Sequence, residues 1–314
     1  MIAELDRTFL DVLRCPACRG PLQQVAGTDG AAALRCGCGL QAPIRDGIPR
    51  FVADDGYVAS FSYEWQQHAR TQLDSHNDNG ESERQFQSRL DRPLDWLKGK
   101  LVLDAGCGMG RYAEVAAKHG ATVVCLDFSY AIDVARRNLS RFPNVHFVQA
   151  DLMRPPLAPQ TFDLVYSFGV LHHTSDARRA FLAVADLVKP GGLMSMFVYA
   201  SYNKAIVYSS DFWRKLTTRL PHPVLHWLSS AAVPLYYLYS LPVVGRAAKA
   251  VLPISMEPNW RWRWLDTFDW YSPTFQSKHT HAEVTSWFRL AGFHELFVGD
   301  HEVTVAGAKR VERA

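Results

Sequence analysis

The chain has 314 residues, 48% of them hydrophobic, which is enough apolar material for one catalytic core with additions. A net charge of +3, with no lysine- or arginine-rich tract, gives no expectation of a nucleic-acid partner. The opening Met1-Ile-Ala-Glu-Leu-Asp-Arg carries charges where a secretion signal needs an apolar run, and the grouping of the cysteines argues against disulfides, so the cytoplasm is the expected compartment.

Four cysteines lie near the start, as Cys15-Pro-Ala-Cys18 and Cys36-Gly-Cys38. A Cys-x-x-Cys turn presents two thiolates together, and a second pair completes a tetrahedral zinc site. Residues 13–51, ending in Arg45-Asp46-Gly47-Ile48-Pro49, resemble a zinc ribbon fused to methyltransferases, and also the small zinc-ribbon activators of RNA- and protein-modifying methyltransferases. The resemblance implies one structural zinc held by Cys15, Cys18, Cys36 and Cys38 in a segment covering residues 1–52. The second pair is one residue shorter than the usual knuckle, so a residual ribbon with four unmetallated thiols stays open. No strand–helix unit carries the motif, which disfavours thioredoxin-like redox chemistry.

Residues 53–99 read as a polar, helical connector. It opens with Tyr57, Phe61, Tyr63 and Trp65, followed by His68 and Arg70. Asp74–Glu83 has no apolar side chain and is expected to be a solvated, mobile loop.

Residues 101–110, Leu-Val-Leu-Asp-Ala-Gly-Cys-Gly-Met-Gly, describe a buried strand running into a glycine turn, with a helix from Arg111 to about His119. Gly106, Gly108 and Gly110 allow close approach of backbone to a ligand, and the helix start offers free N–H groups to an anionic group. A dinucleotide fingerprint would need a third glycine where Arg111 stands. Further strands end in Asp127 and, past Val145–Val148, in Asp151; another runs from Phe162 to Ser167 into Phe168-Gly-Val-Leu-His172-His173. Lys189-Pro-Gly-Gly192 turns into a strand Leu193–Tyr199. Cys107 and Cys125 fit as small buried thiols.

In order and spacing, residues 100–200 resemble class I S-adenosylmethionine (SAM) methyltransferases. The resemblance implies an α/β fold: a Rossmann-like, seven-stranded, doubly wound sheet in the order 3-2-1-4-5-7-6, with strand 7 antiparallel. It implies SAM as cofactor, bound by Asp104, Gly106, Cys107, Gly108, Gly110, Asp127, Phe128, Asp151, Leu152 and Phe168. Asp127 would accept from the ribose hydroxyls and Asp151 from the adenine amino group. The connector aromatics would either cover the methionine end, where a π face attracts the sulfonium, or merely anchor the linker.

The connection between the fifth strand and the last helix is far longer than compact α/β domains need, and residues 201–275 form an expected helical insertion. Val224–Val244 has no formal charge, yet a single membrane span is excluded, because one crossing would divide the strands of one sheet. Pro234 and Pro242 are expected to break the run into short helices. An acceptor lid, a homodimer surface and a patch resting on a membrane remain as readings. Trp260-Arg-Trp-Arg-Trp264, if extended, would place rings on one face and guanidiniums on the other. Thr280-His-Ala-Glu283 reads as a capping box opening the last helix, and strands Leu296–Val298 and Val303–Ala306 complete a domain of residues 100–200 and 276–314.

Ser167-Phe-Gly-Val-Leu-His-His resembles the corresponding stretch of methyltransferases acting on small molecules, which implies methyl transfer onto a small-molecule acceptor such as a natural product, lipid or saccharide precursor. His172 and His173, just past the fourth strand, are the candidate catalytic bases, with His279, His281 and Tyr271 behind them. RNA or protein methylation is the alternative within the enzyme class, and a non-catalytic scaffold the alternative outside it.

Overall fold

The computed structural model describes residues 4–27, 31–54, 56–299 and 302–311. Helix α1 (Arg7–Val12) is capped by Asp6, whose carboxylate accepts the Phe9 N–H. An antiparallel sheet follows, in the order β1 (Leu22–Ala26), β2 (Ala32–Cys36), β3 (Gln41–Arg45) and β4 (Ile48–Pro49). The connector forms α2 (Ala59–Gln67), α3 (Asp74–Asn77) and α4 (Glu81–Leu90).

The expected loop at Asp74–Glu83 is instead ordered. The Asp74 carboxylate accepts the Ser82 and Glu83 N–H groups at 2.9 and 2.8 Å, which caps α4. Ser82 is fully buried and donates to the Gln72 carbonyl at 2.7 Å. Short polar side chains build the turn by local hydrogen bonds, so the absence of apolar residues was no guide to order.

The central domain then alternates β5 (Leu101–Ala105), α5 (Arg111–Lys118), β6 (Thr122–Asp127), α6 (Ala131–Asn138), β7 (Val145–Gln149), β8 (Phe162–Phe168), α7 (Ala177–Ala185) and β9 (Val188–Val198). The insertion supplies α8 (Lys204–Thr217), α9 (His222–Ser229), α10 (Ala232–Tyr239), α11 (Pro242–Val251) and α12 (Trp260–Tyr271). Helix α13 (His281–Leu290) and strands β10 (Phe293–Val298) and β11 (Val303–Lys309) finish the chain. The seven strands lie in the order β7-β6-β5-β8-β9-β11-β10, as expected. The first five are parallel, and β11 is antiparallel to both neighbours. Apolar runs such as Val102–Leu103 and Val123–Leu126 are buried on both faces by flanking helices, which is why they do not alternate. Strand order reverses between β5 and β8, and ligands of open α/β sheets sit at the carboxyl ends beside such a reversal.

Two expectations about the insertion need correction. Trp260–Trp264 is not extended but opens α12, where Asn259 caps the first turn by accepting the Arg261 and Trp262 N–H groups at 3.0 and 3.3 Å. Trp262, Leu265, Phe268 and Tyr271 recur at helical spacing and form its buried face, and that pattern outweighs the alternation of tryptophan with arginine. Pro242 does open α11, but Pro234 lies in the first turn of α10, where its missing N–H has no intrahelical partner to lose. The break before α10 falls at Ser230–Ala231. No described helix is long and apolar enough to cross a membrane.

The N-terminal unit packs tightly on the central domain. Phe9, Leu13 and Leu34 share one apolar cluster with Val124, Leu126 and Val148. The Phe51 N–H donates to the Gln149 carbonyl of β7 at 2.8 Å, and the Arg50 guanidinium donates to Gln149 Oε1 at 3.0 Å and forms an ion pair with Asp133.

Candidate active site

A cavity of about 360 Å³ lies at the carboxyl ends of β5, β6 and β8. Its floor is the glycine turn. Gly106 has φ +93°, and a Cβ there would stand 2.3 Å from Val170 Cγ1, so only glycine fits. Gly108 packs beneath Trp65, and its N–H donates to Asp127 Oδ2 at 2.8 Å, which ties the turn directly to the end of β6. The other Asp127 oxygen accepts the Ser129 N–H and hydroxyl at 2.8 and 2.7 Å. Burial raises its pKa against these donors. The Asp151 Oδ1 accepts the Met153 N–H at 2.8 Å.

Asp104, Gly106, Cys107, Gly108, Asp127, Phe128, Asp151, Leu152 and Phe168 all line this cavity, whereas Gly110 does not. Gly110 is the N-cap of α5 at φ +92°, and a Cβ there would meet Leu139 at 2.8 Å. Its absent side chain serves helix packing. Asp104 is almost completely buried, has one oxygen without a partner, and is pushed up to about 8 by that burial. The set suits SAM: a glycine cradle, an acid at the end of β6, an acid past β7, and an unsatisfied carboxyl at the end of β5.

The two histidines separate. His173 lines the cavity, and its Nδ1 lies 3.0 Å from the Phe275 carbonyl. A carbonyl only accepts, so Nδ1 carries the proton and Nε2, which has no partner, keeps its lone pair. Burial lowers the pKa of His173 and keeps the ring neutral. His172 is fully buried behind it, its ring centroid 4.0 Å from that of Tyr199 and tilted by 35°, and it does not line the cavity. Neither His279, His281 nor Tyr271 lines the cavity.

The opposite wall comes from the connector and the insertion. Tyr57, Phe61 and Trp65 line the cavity, while Tyr63 joins the insertion cluster of Leu225, Phe268 and Tyr271, so the aromatic group both covers and anchors. Helix α12 contributes Trp262, Leu265, Asp266, Asp269 and Trp270. Sequence reasoning did not single out Asp266, Asp269 or Glu64. Asp266 is pushed up to about 8 by burial and by the charge of Asp269, and burial drives Glu64 well above the usual carboxylate range. The i, i+3 spacing of Asp266 and Asp269 would have placed them on one face, had the helix been recognised. Arg111 closes the seam. It donates to Ser82 and Gln85 at 2.9 and 3.0 Å and lies 4.4 Å from the Trp262 ring, so connector, glycine turn and insertion meet at one guanidinium.

In the N-terminal unit, the sulfurs of Cys15, Cys18, Cys36 and Cys38 all lie within 4.8 Å of one another. The shortened Cys-x-Cys pair therefore converges with the knuckle. The Leu40 backbone N–H, together with the neighbouring thiols, draws Cys38 down to about 7, whereas Cys36, despite the Cys38 backbone N–H, is pushed up to about 12 by the other thiols, so a zinc ion would displace protons as it binds. Four sulfurs at this spacing fit a closed tetrahedral site.

The methyltransferase domain family matches residues 103–196. Ubiquinone biosynthesis O-methyltransferase of Coxiella burnetii is 36% identical over 115 residues, covering 36% of this chain and 49% of that protein. The tRNA U34 carboxymethyltransferase of Desulfotalea psychrophila is 34% identical over 117 residues, covering 36% of each. The solved 1,6-didemethyltoxoflavin-N1-methyltransferase of Burkholderia thailandensis is 15% identical, with a TM-score of 0.47, over 86% of this chain and 96% of that one. The chain spans about half the length of the first of these relatives. Strand order, glycine turn and family match agree: over residues 103–196 the chain carries a class I methyltransferase domain.

Proposed function

We propose that the protein is a SAM-dependent methyltransferase of a small-molecule acceptor, with one structural zinc in its N-terminal ribbon, acting in the cytoplasm. The observation that carries this reading is the shared cavity: the glycine turn, Asp127 and Asp151 form one side, and α12 forms the other. When bound, SAM supplies an activated sulfonium methyl, so the protein has mainly to align an acceptor and exclude water. Gly106, Gly108, Asp127 and Asp151 would hold the cofactor. Trp262, Leu265 and Trp270 would hold the acceptor and shed its water. The His173 Nε2 is free to take a proton from an acceptor O–H or N–H. Residues 201–275 would then select the acceptor and leave cofactor binding largely untouched. The free thiols of the cysteines suit a reducing compartment.

The test is incubation of the purified chain with methyl-labelled SAM and a metabolite extract, with Asp127→Ala as control. Label in a small-molecule fraction, absent with the variant, supports the reading. Label confined to RNA or protein moves the acceptor class. Binding of S-adenosylhomocysteine without any transfer leaves the scaffold reading.

A further inference from the structure

A helix on a globular body normally hides its apolar side and shows charge to water. The insertion buries one apolar side and shows another to water. Tyr208, Phe212 and Leu216 recur every fourth residue and make one exposed stripe on α8. Trp227 on α9, Tyr237 on α10 and Val243 on α11 are 71%, 75% and 82% exposed. The other sides of these helices are used inside: Leu225 packs with Phe268 and Tyr271, and Ala232 and Tyr239 pack with Ile254. Of the outward rings, Phe212 meets its chain neighbour Trp213 edge-on and Tyr237 meets Tyr236, contacts that leave both more than half exposed.

The charge on this surface is one-sided. From Lys204 to Val251 the only acid is Asp211, which pairs with Lys278, against Lys204, Arg214, Lys215, Arg219, Arg246 and Lys249. Arg214 is buried, donating to the Trp270 and Pro273 carbonyls, which leaves five cations among the apolar groups. The rest of the chain holds more acid than base, so the positive net charge resides here.

We propose that this face docks on the surface of an anionic lipid bilayer. Trp227, Tyr237 and Val243 enter the headgroup boundary, and the lysines and arginines meet lipid phosphates. Short helices with exposed rings and flanking cations lie in the interface plane and do not span it. A second copy is the poorer occupant, because a two-fold interface would set the five cations of one chain against those of the other. Helix α12, whose Trp262 and Leu265 line the cavity, lies beneath this layer, so docking turns the cavity roof towards the membrane.

The test is co-sedimentation of the full chain with vesicles of equimolar phosphatidylcholine and phosphatidylglycerol, compared with phosphatidylcholine alone. The chain should pellet with the mixed vesicles, far less with the neutral ones, and less as salt rises. Trp227→Ser with Tyr237→Ser removes the anchors, and Lys215→Glu with Arg219→Glu reverses two charges. Each double variant should weaken partition by roughly tenfold or more, with thermal melting in vesicle-free buffer unchanged. The two changes are separate, so misfolding of one leaves the other informative. A chain that stays in the supernatant overturns the proposal, as does pelleting that ignores lipid charge or both substitutions. A vesicle-inert dimer broken by Trp227→Ser would assign the face to a second copy. No arm uses cofactor or acceptor, so the outcome stands apart from the methyl-transfer reading.

Discussion

His68, the C-cap of α2, and His226 on α9 face each other with their Nε2 atoms 2.9 Å apart, which ties the connector to the insertion. One ring donates and the other accepts, so at least one must be neutral. Burial and the charge of His226 push His68 from 6.5 down to about 4, and burial lowers His226 as well. A histidine whose folded value is depressed contributes stability that is present above its ordinary value and lost as pH falls. Thermal melting should therefore weaken as pH drops from 6.5 towards 4. His68→Gln should flatten part of that slope. Identical slopes in variant and parent would remove the pair from the account.

Asp127→Ala should weaken binding of S-adenosylhomocysteine by about 1.5–3 kcal/mol, the range for a hydrogen bond to a charged group. The carboxylate has a second task, since it accepts the Gly108 N–H and so shapes the glycine turn. Calorimetry of the variant checks both, and an unchanged affinity would falsify the assignment.

At Gly106 the constraint is steric. A Cβ would come within 2.3 Å of Val170 Cγ1 and 2.6 Å of Cγ2, at a φ of +93°. Gly106→Ala should destabilise the chain by about 2 kcal/mol or more. Adding Val170→Ala removes the two Cγ contacts but keeps the Val170 Cβ position 2.9 Å away, so it should relieve part of the clash and none of the backbone strain. Denaturant titration of the single and double variants measures the share carried by the two Cγ contacts.

Elemental analysis of freshly purified protein should find one zinc per chain, and a chelator should lower the melting temperature. Cys36→Ser should abolish the metal and the chelator effect together. Metal-free protein with an unaltered melting curve would mean that four reduced thiols suffice.

Where the chain pattern is local, the site was legible. Asp104, Asp127 and Asp151 each follow a buried apolar run, and chemistry at strand ends sits in a few consecutive residues. The same holds for Cys15 and Cys18. The far wall of the cavity was not legible, because Glu64, Asp266 and Asp269 meet only through the packing of α2 on α12. Trp260–Trp264 misled for a related reason. Its period of two lies within a longer period that shows only when Leu265, Phe268 and Tyr271 are counted with it. His172 and His173 are adjacent in sequence, yet a single 3₁₀ turn sends one towards the cavity and the other behind it.

The contact of Phe51 and Arg50 with Gln149 has a consequence for how the protein fails. Strand β7 is the outermost parallel strand on its side, and an open flank of backbone donors and acceptors is a template for another chain. The ribbon lies against that flank, with Phe9 stacked on His146 at 5.0 Å and the Phe51 N–H bonded to Gln149. Four cysteines converge where the ribbon's turns meet, so if they hold the proposed zinc its removal would free the guard as well as the ribbon. Metal-stripped protein is then expected to lose solubility before it loses its central fold, precipitating by strand-to-strand growth from β7.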